Sequence, residues 1–133
     1  MVDIRRSSPD VGYFAPELYQ DVNFAQTVRV GNVVHFSGVV AANAAAECVA
    51  PGDFAAQLNA ILEIYRKLLA KEGMGFANLV SVTIFTTDMA ALAATAPVFK
   101  LAFGDTPPAA TWIEVKGLSG PDFLLEVVVI AAD

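Results

Sequence analysis

Apolar and β-branched residues crowd residues 24–40, with a single break at Gly31-Asn32. Gly followed by Asn between two such runs predicts a two-residue hairpin turn, because both residues accept positive φ. Residues 24–30 are therefore expected to pair with residues 33–39. A loop of small residues follows to Pro51-Gly52, and then the period changes. Phe54, Leu58, Ile61, Leu62, Tyr65, Leu68 and Leu69 recur at three- and four-residue spacing. That is one face of an amphipathic helix over residues 53–72, capped by Asp53 and ended by Gly73. Glu63 and Lys67 are spaced to pair on its outer side.

Leu79–Thr86 reads as a third strand. Asp88 caps a second helix with Met89, Leu92, Ala96, Phe99 and Phe103 inward, and Gly104 ends it. Pro97 lies inside that pattern and is expected to kink or split the helix, since it removes one hydrogen bond. After the rigid turn at residues 105–108, residues 109–115 and 123–131 read as the fourth and fifth strands. The order is β-β-α-β-α-β-β, an α+β mixed sheet with two helices on one face. Residues 1–23, with turn formers and Arg5-Arg6-Ser7-Ser8-Pro9, read as an irregular N-terminal arm. Residues 24–133 read as a single domain.

Composition sharpens this picture. The chain has 133 residues, one domain by size, and its apolar share of 56% exceeds the roughly 45–50% usual for globular domains. No apolar stretch reaches membrane-spanning length, and the N-terminus lacks the apolar core of a signal peptide. The surplus apolar surface, on strands apolar on both sides, is expected to be buried between subunits, as in a threefold assembly. A net charge of −6 without any basic run argues against nucleic acid. Cys48 and His35 are each the only residue of their kind. A lone cysteine makes neither an internal disulfide nor a multi-cysteine zinc site, which leaves a plain thiol and a cytoplasmic location as the expectation. No metal or cofactor motif is present.

Candidate chemistry is sparse. Glu126 is the single charge in the run Phe123-Leu124-Leu125-Glu126-Val127-Val128-Val129-Ile130-Ala131. A carboxylate there must be paired, hydrogen-bonded or held at a raised pKa. It is either a satisfied structural acid or half of a small-molecule site. Ser37 reads as a backbone-bonding residue at a strand end, and His35 as a satisfied structural histidine. Trp112 is core, interface or the wall of a pocket for a flat ligand.

The element order, with RVGNVVHFSGVV, DFAAQ, LVSVTIFTTD, and PPAATWIEV followed by LLEVVVIAA, resembles the Rid (YjgF) family, of chorismate-mutase-like fold. The resemblance implies a homotrimer with ligand clefts between subunits. It further implies an enamine/imine deaminase, a hydrolase that releases ammonia and needs no cofactor. By position, Glu126 is the implied catalytic residue. Phe24, Ser37, Gly38, Ala96, Ala110, Thr111 and Trp112 fall on the ligand-binding positions.

Three of these depart from the family pattern: the substrate-binding arginine is Ala110, a tyrosine is Phe24, and an asparagine is Ala96. Losing such an arginine costs about 2–5 kcal/mol of binding for a carboxylate substrate. Glu126 thus reads as the remaining half of a pair, with burial raising its pKa unless Arg29 or Lys116 of a neighbouring subunit refills the charge. Two readings stay open. One is a deaminase for an imine without a carboxylate; the other is a non-catalytic small-molecule or interaction module that keeps the cleft. The acidic charge and single histidine argue against ribonuclease chemistry. The lack of cations argues against chorismate mutase chemistry.

Overall fold

The computed structural model describes residues 2–133. Its core is one six-stranded sheet in the order β1-β2-β3-β6-β4-β5. The strands are β1 (Ile4–Ser7), β2 (Thr27–Val30), β3 (Val33–Phe36), β4 (Leu79–Thr86), β5 (Ala109–Glu114) and β6 (Leu125–Ala132). Every neighbouring pair is antiparallel except β4 and β5, so the sheet is mixed. The helices are α1 (Pro16–Val22), α2 (Phe54–Lys71), α3 (Met89–Ala94) and α4 (Ala96–Phe103).

Local sequence explains most of these elements. Gly31 takes φ +59° in the tight turn between β2 and β3, where Val30 pairs with Val33. The Asp53 carboxylate accepts from the Ala56 N–H at 3.0 Å and starts α2. Gly73, at φ +71°, follows the end of that helix. The helix expected over residues 89–103 is divided, because Pro97 sits in the first turn of α4 and Thr95 separates the two pieces. Proline is accommodated there because first-turn N–H groups have no intrahelical partner.

Two expectations are corrected. The N-terminal residues are not irregular: Ile4–Ser7 extends the sheet by pairing with β2, and Pro16–Val22 is helical. Among the described residues the sheet therefore has six strands, and there are four α-helices. On the surface of α2, Glu63 pairs with Arg66 at 3.1 Å rather than with Lys67.

One sheet face carries Val34, Phe36, Val82, Ile84, Val127 and Val129, buried with Leu58, Ile61, Leu62 and Tyr65 of α2. Paired residues share a face, and successive residues alternate. The opposite face therefore carries Val28, Val30, Val33, His35, Thr83, Phe85, Val128 and Ile130, together with Glu126. No helix covers it. His35 stands exposed on this face without a side-chain hydrogen bond among the described residues, so it is not the satisfied structural histidine expected.

Candidate functional site

The ladder between β3 and β6 ends at His35–Ile130, and the chain then leaves regular pairing at Ser37-Gly38. Val39 rejoins β6 through a single bridge to Val127. Side chains satisfy the gap. The Ser37 carbonyl accepts from Gln26 Nε2 at 2.9 Å, and the Tyr65 hydroxyl donates to the Val127 carbonyl at 2.6 Å. Gln26 is held in turn by the Tyr19 hydroxyl, which donates to Oε1 at 2.7 Å. The Ser37 hydroxyl donates to the Ala25 carbonyl at 2.7 Å, the backbone-bonding role expected of it.

Glu126 stands over this break. An added Cβ on Gly38 would lie 2.5 Å from Glu126 Oε2, so the carboxylate rests directly on the glycine. Gly38 is there for this close approach and not for a special backbone angle. Glu126 is half-buried and has no ion pair or side-chain hydrogen bond among the described residues. No fully buried side-chain oxygen or nitrogen among them lacks a partner, so its carboxylate keeps contact with water. Burial pushes its pKa above the ordinary carboxyl value. Burial likewise raises Tyr13 and Tyr65, on whose hydroxyls the negative charge of Glu126 also acts.

Phe24 lines a cleft of about 520 Å³, walled also by Arg6, Ser8, Tyr19 and Asn23. Its ring packs 5.0 Å from that of Tyr19. Arg6 makes no ion pair among the described residues. Arg29 is paired within its own chain, with Asp133 at 2.6 Å and Glu72 at 3.4 Å.

The remaining candidates lie elsewhere. Ala110 pairs with Val82 and Trp112 with Ile84, which puts both on the helix-covered face, whereas Thr111 pairs with Thr83 on the open face. Ala96, at the start of α4, joins Ala110 and Trp112 around a pocket of about 190 Å³ with Phe99 and Phe103. The Phe99 and Trp112 rings stand 6.1 Å apart at 39°. Within one chain, then, Ser37, Gly38 and Glu126 form one group and Ala96, Ala110 and Trp112 another, while Phe24 lines a separate cleft. Glu126 and Ala110 face opposite sides of the sheet, so they are not partners within one chain. Sequence reasoning missed Gln26, Tyr19 and Tyr65 as supports of the Ser37-Gly38 break. Long-range contacts alone reveal them, and no local motif marks them.

Such a protein is an α+β chain with one open sheet face and a carboxylate at a strand break. Residues 15–133 match the family model described as Endoribonuclease L-PSP. The chain belongs to this family, the YjgF/Rid family. A RutC family protein of Haemophilus influenzae is 32% identical over 112 residues, covering 81% of this chain and 85% of that protein. The 3-aminoacrylate deaminase RutC of Acinetobacter baylyi is 29% identical over 108 residues, covering 81% and 85%. A YjgF/YER057c/UK114 family member from Mycobacterium tuberculosis has the same fold, with a TM-score of 0.81 at 24% identity and coverage of 98% and 100%. Among the described residues no helix is long and apolar enough to cross a membrane.

Proposed function

We propose that the chain is an enamine/imine deaminase whose site is completed by a second copy in a homotrimer. Glu126 is its acid–base group, and its substrate lacks a carboxylate. One observation carries the reading: a half-buried carboxylate without a protein partner, of raised pKa, rests on a glycine that leaves it room. Buried acids are normally hydrogen-bonded, and among the described residues this half-buried one has no protein partner and meets water instead. A general acid–base group with its pKa moved toward neutrality suits proton relay. Two further features support assembly: the uncovered apolar sheet face, and the separation of the candidate residues into two groups.

The chemistry is a hydrolysis. Water adds to the imine carbon, forming a C–O bond while the C=N π pair goes to nitrogen. Glu126 takes a proton from the water and passes it to that nitrogen. The carbinolamine then loses ammonia: Glu126 carries its O–H proton to the amine nitrogen as the C–N bond breaks and the carbonyl forms. The likeness to a 3-aminoacrylate deaminase supports this reaction class. An apolar group where the family places its arginine supports a different substrate.

A non-catalytic ligand-binding module is the second reading, favoured by the apolar character of Ala96, Ala110 and Phe24. A panel of imines generated in solution separates the two by ammonia release. Turnover that falls about 10²–10⁴-fold in Glu126→Gln supports the deaminase. No turnover with any imine, combined with ligand-induced stabilisation of the trimer, supports the module. Ribonuclease chemistry lacks support, since the single histidine is exposed and the net charge is −6.

A further inference from the structure

The pocket between α4 and the β4–β5 edge has a lining that says what it accepts. Val82, Ile84, Phe99, Phe103, Ala110 and Trp112 supply most of its wall, with Ala96 and Pro107-Pro108 at its margin. None of these nine side chains carries a charge, and the sole polar side-chain atom is the indole nitrogen of Trp112. Its volume of about 190 Å³ exceeds the roughly 150 Å³ at which an apolar cavity takes up benzene. An anion placed here would be desolvated with nothing to pair it.

We propose that this pocket binds an uncharged apolar group of single-ring or branched-alkyl size, and so selects neutral, ring-bearing imines over imino acids. The inference names the substrate class of the site proposed above and rests on that reading for turnover, whereas binding is read independently of it. Phe99 and Trp112 form the aromatic wall against which a ring packs, worth more than area alone when rings stack offset or edge to face. Trp112, in the pocket wall, is exposed at 39%. Ala96 and Ala110 keep the volume open, and a larger residue at either position fills it.

The chain contains a single tryptophan, so its emission reports this pocket alone. The full-length protein is titrated with benzyl alcohol, neutral, and with benzoate, its anionic counterpart. Saturable change with benzyl alcohol, at least about tenfold tighter than with benzoate, is the expected result. Ala110→Phe should abolish it, and Ala110→Arg should move the preference toward benzoate. Because Ala110→Phe can disturb the strand, Ala96→Leu at the exposed start of α4 serves as a second filling variant, with circular dichroism checking both. Equal affinity for the two probes overturns the proposal, as does an undiminished response in both filling variants. No response to benzyl alcohol, with emission that shifts only as the assembly is diluted, assigns the pocket to a neighbouring subunit and overturns it too. Ring binding without turnover of any imine would sink the deaminase and leave the pocket standing. Turnover of imino acids without ring binding would overturn the pocket and the carboxylate-free substrate, and leave the deaminase chemistry standing.

Discussion

Gly38→Ala is the sharpest probe of the site. The backbone of Gly38 is not in the left-handed region, so alanine fits its conformation and the effect reports contact alone. The new methyl would sit 2.5 Å from Oε2, 2.9 Å from Cδ and 3.0 Å from Cγ of Glu126. To regain ordinary contact the carboxylate must retreat by roughly 1 Å, a misplacement that costs catalysis on the order of 10²-fold. Overpacking costs about 1–3 kcal/mol, and here the low end applies, because the struck atoms end a flexible side chain beside an open face. Glu126→Ala removes those atoms, so Gly38→Ala should cost almost nothing in that background. A double-mutant cycle by chemical denaturation should give a coupling of about 1 kcal/mol, with ammonia release followed in parallel. Additive effects with full activity in Gly38→Ala would refute the close approach as the reason for the glycine.

Other consequences follow from the same geometry. Burial holds Glu126 above its ordinary pKa near 4.5, so the folded chain keeps this proton to higher pH than the unfolded chain does. Stability from this group falls as pH rises from that value through the folded pKa, and melting curves of Glu126→Gln should lack that slope. All three tyrosines are raised by burial, Tyr19 to about 12, above the ordinary 10.0. Their contribution is complete below pH 10 and lost above it, so tyrosinate absorbance should appear only together with unfolding; tyrosinate in a folded chain near pH 10 would contradict the burial. Gln57 is fully buried, donating to the Ala50 and Asp122 carbonyls and accepting from the Leu124 N–H at 2.9–3.0 Å. Gln57→Leu orphans these three groups and should cost at least about 2 kcal/mol in urea unfolding.

What the sequence determined by itself were the features that local physics settles. Asp53, the periodic apolar face and Gly73 bound α2 to within a residue at each end. Pro97 forced the division of α3 from α4, and Gly31-Asn32 set the hairpin. Glu126 stood out because a charge inside a run of Val, Ile and Leu is costly wherever it folds.

Tertiary structure decided the rest. Ile4–Ser7 carries a four-residue, largely polar pattern that becomes a strand only because β2 offers it a ladder. Alternation told which residues share a face of one strand, but the register of β4 against β5 and β6 decided that Ala110 and Glu126 face opposite ways. Gly38 proved to be the seat of the carboxylate, a contact between residues 88 positions apart along the chain. Position in sequence named two sets of candidate residues, but only packing could show that one chain does not bring them together.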